Sequence, residues 1–202
     1  MTLRHSRRTS VRRPRKRLFV ICEGERTERL YFLDLRKNFR MNIEVKPSHD
    51  RDAIGMVRCC LKVIEDEELD LEDGDEVWCV FDTDNNTDEM IEEATRIAGP
   101  VNIAISNPCF ELWFILHFEY HDKRINDCEE AVKVLTKHIH DYCKSKDVFP
   151  MIEGSTADAI ENAKKLNKHH LGQGKVLKNC ECNPSTQVFL LLERFDELRK
   201  RS

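Results

Sequence analysis

No apolar stretch in this 202-residue chain approaches the roughly 20 residues that a membrane-spanning helix requires. The longest, Leu112–Phe118 and Val188–Leu192, stop far short, so no membrane association is expected. The arginine-rich N-terminus lacks the apolar segment of a secretory signal, and a cytoplasmic location is expected. The nine cysteines are odd in number and scattered. Cys180-Glu-Cys182, with His169 and His170 upstream, lacks the C-x₂₋₄-C spacing of zinc sites and has no second pair to complete one. Reduced thiols are the expectation, and Cys22 and Cys79, inside apolar runs, read as small buried hydrophobes. The Gly172-Gln-Gly174-Lys175 patch follows no strand and lacks the P-loop spacing, which makes it a turn and not a nucleotide cradle. No repeat at a fixed period is visible.

Charge is abundant but unevenly placed. Charged residues make up 35% of the chain and hydrophobic ones 40%, enough for one sizeable domain or a smaller one with an appendage. The net charge of −4 conceals an asymmetry: residues 1–17 carry eight basic side chains and no acid, which leaves −12 for the rest. A basic arm on an acidic body suits a tail that touches phosphates, and it equally suits a solvated tail.

After the arm, hydrophobic runs alternate with amphipathic segments. Arg17–Cys22 and Glu76–Phe81 are continuous apolar runs, as in strands buried on both faces. Asn42–Pro47 and Val101–Ile105 read as further strands. Between them Glu25–Phe39, Asp52–Leu69 and Thr87–Ala98 show helical spacing, Thr87 offering an N-cap and Gly99-Pro100 a stop. This order predicts βαβ units and a parallel sheet flanked by helices. Phe110–Phe118 reads as a buried helix in which Trp113, Phe114 and Leu116 belong to the core. After about Tyr120 the strand signal ends, and Ala131–Tyr142, Ala157–Lys168 and Val188–Arg199 read as helices that pack on the sheet or beside its active edge.

In a parallel α/β sheet, ligands sit beyond the C-terminal ends of the strands. The first strand ends in Glu23, the third in Asp82 and Asp84, the fourth in Ser106 and Asn107. Asp82 and Asp84 are two apart and point the same way on an extended backbone. Acids converging there would repel one another unless a cation sat between them, and a few hard oxygen ligands favour Mg²⁺ over zinc. Gly24 allows a sharp turn and close approach of a phosphate to the backbone. Thr27 and Glu28 fall in the first turn of the next helix, where N–H groups face an anion. Asn85 and Asn86 extend the polar loop. Asp and Asn also cap helices at any strand-to-helix turn; the pairing with Glu23-Gly24 is what favours a site.

These residues resemble a known pattern. A strand ending in Glu-Gly and a later one ending in Asp-x-Asp resemble the Toprim domain of topoisomerases, primases and certain nucleases. More closely, Val20-Ile-Cys-Glu-Gly-Glu-Arg-Thr-Glu28, Phe81-Asp-Thr-Asp84, Ser106-Asn-Pro-Cys-Phe-Glu-Leu-Trp113 with His117-Phe118, and Asn183-Pro-Ser-Thr186 together resemble the RloB-like family from about Arg17 onward. The resemblance implies an α/β fold, a Toprim-like parallel β-sheet flanked by helices with a helical C-terminal part. Within it, 17–120 would be the Toprim-like catalytic core and 121–202 the helical part of the same unit; the basic flexible arm, residues 1–16, is read from its charge alone and lies outside the resemblance. It further implies a Mg²⁺-dependent (or Mn²⁺-dependent) nuclease of prokaryotic antiviral or abortive-infection loci. The expected partners are a nucleic acid, DNA or RNA with tRNA included, and an ABC- or SMC-like ATPase; a homo-oligomer is compatible with it.

By the same resemblance Glu23, Asp82 and Asp84 match the metal-binding acids, and Asn107 and Glu111 fall in a block typical of the family. Phosphodiester hydrolysis would then use Glu23 as general acid or base and Asp82 and Asp84 as ligands. Lys144 or Lys175 would supply a cation, and Glu111, on an apolar helix, needs a partner or a metal. Gly24, Thr27, Glu28 and Asn107 would contact substrate. The main alternative is a non-cleaving subunit that binds a nucleotide or nucleic acid. A topoisomerase would need a nucleophilic tyrosine in a separate domain, and neither Tyr31, Tyr120 nor Tyr142 has that context.

Overall fold

A computed structural model describes residues 16–24, 26–39 and 42–200. All of the expected arm except Lys16 lies outside the described residues. Arg17, grouped with the arm by its charge, is structural: its backbone N–H and guanidinium both bind Asp75, the ion pair at 3.2 Å, and the guanidinium also reaches the carbonyls of Glu67 and Glu68.

The four strands expected before Tyr120 all form. β1 (Leu18–Cys22) is buried at every position and pairs in parallel with β2 (Ile43–Pro47) and β3 (Glu76–Asp82). β3 pairs in parallel with β4 (Asn102–Asn107). The connecting helices are α1 (Thr27–Phe39), α2 (Ala53–Asp66) and α3 (Asp88–Ile97). α2 starts where the Asp52 carboxylate accepts the Gly55 N–H at 2.9 Å, and α3 where Thr87 accepts the Met90 N–H. Alternate residues of β1 face opposite layers. Phe19 and Ile21 pack with Met56 and Val57 of α2 and Ile91 of α3, whereas Leu18 and Val20 pack with Phe32 and Leu35 of α1.

The strand order is β2-β1-β3-β4-β5. The chain leaves β1 toward β2 on one side and returns past β1 to reach β3. Neighbours β1 and β3 therefore flank a topological switch point, where an open α/β sheet forms its ligand crevice.

The C-terminal part comprises α4 (Glu111–Ile115), α5 (Cys128–Leu135), α6 (Phe149–Ile152) with a 3₁₀ turn at Glu153–Ser155, α7 (Thr156–Gly172), β5 (Ser185–Thr186) and α8 (Val188–Lys200). These elements cover the α1 face of the sheet: Leu135, Ala163, Val188 and Phe195 share one core with Leu18 and Val20. Two expectations change. The Phe110–Phe118 and Ala131–Tyr142 helices are shorter, because the chain breaks into turns after Ile115 and Leu135. A strand also follows Tyr120: β5 pairs antiparallel with the end of β4, Ser106 opposite Thr186. Two residues are too few to show a period, so only the partner strand reveals it.

Candidate active site

Strand geometry carries the three acids to one place. The Glu23 N–H continues the β1 ladder to the Val80 carbonyl at 3.2 Å, which fixes its side chain beside the end of β3. Asp82 is the last residue of β3, and Asp84 follows in the turn. One carboxylate oxygen from each of Glu23, Asp82 and Asp84 lies within 4.8 Å of the others. The Asp82 N–H donates to Glu23 Oε2 at 3.3 Å, and the Asn85 amide donates to Glu23 Oε1 and Asp84 Oδ1, both at 3.0 Å. That amide nitrogen thus lies between two acids and eases their repulsion, as a cation between them would. Asn86 holds the loop from behind, donating to the Asp82 carbonyl at 2.8 Å and accepting the Ala53 N–H at 2.7 Å.

A second group of charges lies deeper. Glu28 is 6% exposed and Glu111 2%. The buried Tyr142 hydroxyl donates to Glu111 Oε1 at 2.8 Å, and Thr27 donates to the Lys144 carbonyl. The acids do not sit there in their ordinary states. Burial, then the charges of Glu28, Glu111, Glu23 and Asp84, push Asp82 well above the usual carboxylate range. Burial raises Glu23, while the Asp82 N–H and Asn85 pull it back. Glu28 is pushed up to about 7, mainly by burial and then by Glu111 and Glu23. Burial works against the Lys144 ammonium, but the charge of Glu111 and its neighbours more than reverses this and holds it above its usual value. Asp82 Oδ1 is buried without a hydrogen-bond partner among the described residues. A buried, unpartnered carboxylate oxygen beside four other acids is what a divalent cation would satisfy.

The five acids, Thr27, Asn85 and Lys144 line a cavity of about 400 Å³. Of the residues expected from sequence, Glu23, Gly24, Thr27, Glu28, Asp82, Asp84, Glu111 and Lys144 border it. Two of them do so in unexpected ways. The space beside Gly24 is filled by the Glu28 carboxylate, and Glu28 also accepts its own backbone N–H. The start of α1 therefore serves an internal acid and leaves little room for the anion expected there. Asn107 is not part of the lining. Its buried amide donates to the carbonyls of Asn179 and Cys180 and accepts from Asn183 at 3.0 Å, and Asn183 in turn binds both the N–H and carbonyl of Ile125. The side chain expected to touch substrate is spent on clasping the C-terminal segment to β4. Lys175, the alternative cation, binds the Glu181 carbonyl and is likewise outside the lining.

Sequence reasoning missed Arg26, Ser48, His49 and Arg51, which also line the cavity. The last three follow the end of β2, and the strand-end rule used for the other strands would have found them. Tyr142 carries no sequence signal for its contact with Glu111, which spans 31 residues of sequence.

Comparison with curated proteins and with solved structures found no match. The family model described as RloB-like protein matches residues 18–195, which takes in all five strands and the whole cavity. The chain therefore belongs to the RloB-like protein family.

Proposed function

We propose that this chain is a Mg²⁺-dependent nuclease that hydrolyses nucleic acid phosphodiesters. The observation that carries the reading is the convergence of Glu23, Asp82 and Asp84 within 4.8 Å at the switch point of the sheet, with Asp82 Oδ1 buried and unpartnered. These three residues would hold the metal. Bound there, Mg²⁺ (or Mn²⁺) would supply Lewis-acid stabilisation of the charge that develops on a scissile phosphate. Glu28, raised to about 7, is suited to take or give a proton near neutral pH. Lys144, beside Glu28 and Glu111, would hold a phosphate oxygen and shield it from the acids. Tyr142 keeps Glu111 in place through its 2.8 Å hydrogen bond. The resemblance to RloB-like proteins extends the proposal to a cytoplasmic effector of antiviral defence that works with an ABC- or SMC-like ATPase.

The test is incubation of purified protein with DNA and RNA panels in Mg²⁺, Mn²⁺ or EDTA. Cleavage that needs the divalent ion and disappears in a folded Asp82→Asn variant is the expected result. Binding without cleavage under every condition would favour a non-cleaving regulatory subunit instead.

A further inference from the structure

We infer that the substrate of this site is single-stranded nucleic acid, entered by a locally bent strand and not by an intact duplex. The inference rests on the nuclease reading above and adds the substrate class.

The first argument is the depth of the acids. Glu28 and Glu111 are almost wholly buried, Glu23 and Asp82 are half-buried with Asp82 Oδ1 inaccessible, and Asp84 alone of the five is exposed, so a phosphate reaches most of these acids only from inside a cavity of about 400 Å³. A cavity of that size is at the small end for even a modest ligand. DNA duplex is stiff over about 150 base pairs, so it would rest on the rim with its phosphates away from the floor. A single strand can lower one phosphodiester into the cavity, and a duplex can do so only by unstacking a nucleotide at a cost of a few kcal/mol.

The second argument is charge density. The chain beyond residue 17 carries −12, and the cavity itself contains five carboxylates. A duplex brings one negative charge per roughly 1.7 Å of axis and a single strand one per roughly 3.4 Å. The same acidic body therefore repels a duplex about twice as strongly per unit length.

The third is the placement of the cations. Arg26, Arg51 and Lys144 line the cavity, and among the described residues none of them is held in a salt bridge. Arg51 acts on Glu23, at the outer group of acids, and Lys144 on Glu111 and Glu28 of the inner group and on Asp82 between them and the rim. Cations set beside different acids of one cavity fit the phosphates of a single strand passing over those acids. The exposed His49 imidazole beside them offers a face on which a splayed base can stack.

The experiment compares one sequence as single strand, as blunt duplex and as duplex with an internal single-stranded loop, in DNA and RNA, with Mg²⁺. Single strand and loop should be cut at least roughly tenfold faster than duplex. Duplex cleavage as fast as single-strand cleavage would overturn the inference and leave the nuclease reading intact. Absence of cleavage on every substrate would instead remove the nuclease reading. Anisotropy binding to the Asp84→Asn protein decides the substrate class in either case. Tighter single-strand binding supports it, and equal or tighter duplex binding sinks it. In the same assay Arg51→Ala and Lys144→Ala should each flatten the log–log salt dependence for single strand by about 0.7; unchanged slopes in both would refute the proposed path.

Discussion

The Glu28 carboxylate stands where a side chain on residue 24 would begin. A Cβ built on Gly24 would lie 1.9 Å from Glu28 Oε2 and 2.7 Å from its carboxyl carbon. Glycine is required here by the room another side chain takes up, since Gly24 is not among the positive-φ glycines.

This pair gives a first prediction. Glu28 Oε2 is the far end of a flexible side chain, so Gly24→Ala should evict it with the fold intact and Tm shifted by only about 2–4 °C. Cleavage should fall as much as in Glu28→Ala, and adding Gly24→Ala to Glu28→Ala should change little more. A double-mutant cycle on rate and Tm checks this; additive losses would show that Gly24 acts in some other way.

The pH dependence of stability gives a second. Glu28 titrates at about 7 when folded against an ordinary 4.5, so the folded state holds its proton longer. Its carboxyl therefore costs nothing below about pH 4.5, and the cost grows with rising pH until about 7. Glu28→Gln should match wild-type stability near pH 4.5 and exceed it above pH 7, on the order of 3 kcal/mol without metal. The comparison must be with the variant, because the buried His117, lowered to about 4, contributes stability with the opposite slope between its folded and ordinary values. Urea melts in EDTA across this range provide the measurement, and added Mg²⁺ should shrink the difference at neutral pH.

Metal binding gives a third. Asp82→Asn should remove Mg²⁺ and Mn²⁺ binding in calorimetric titration, a loss of at least about tenfold in affinity, while raising metal-free Tm by roughly 2–8 °C as buried repulsion is relieved. A lowered metal-free Tm together with intact binding would place the cation elsewhere.

The Asn107–Asn183 clasp gives a fourth. Asn183→Ala deletes hydrogen bonds to Asn107 and to both backbone groups of Ile125, which should cost about 2–4 kcal/mol. Asn107→Ala should be destabilising alone and add less in the Asn183→Ala background. Metal affinity, measured at low temperature on folded protein, should stay within about threefold of wild type because neither residue reaches the cavity. A selective loss of metal or substrate binding by a stable Asn107→Ala protein would contradict the clasp.

Residues 1–15 give a fifth. Their deletion, which spares the Asp75-bound Arg17, should weaken nucleic acid binding chiefly at low salt and flatten its salt slope. Turnover at saturating substrate should be nearly unchanged. An unaltered slope would show that these residues make no phosphate contact.

The sheet and its acids were legible because β1, β3 and β4 contain unbroken apolar runs and the polar residues that follow each run mark the ligand edge. Glu23, Asp82 and Asp84 follow from that rule alone. Arg51 and His49 come just after Pro47 and obey the same rule, but β2 alternates apolar with charged residues and is less buried, which weakens the strand signal there. Asn107 misled because a polar residue at a strand end has two uses, and the choice depends on Asn183, 76 positions away. The role of Glu28 was hidden for a related reason: helix-start position suggests an outward anion site, and only the space at Gly24 shows the carboxylate turned inward.

The clasp and β5 also set an order of events during synthesis. β4 receives its outer neighbour only from Ser185–Thr186, and the α1 face of the sheet is closed by Val188, Leu192 and Phe195. Contacts of such long sequence separation form late and slowly. A nascent chain that has exposed β1 to α4 from the ribosome therefore carries every acid of the cavity without the layer that holds them in register. Ribosome-bound chains ending before residue 183 should accordingly be cut readily by protease, and chains extended past residue 200 should resist. The acid cavity would therefore be complete only when nearly the whole chain had emerged.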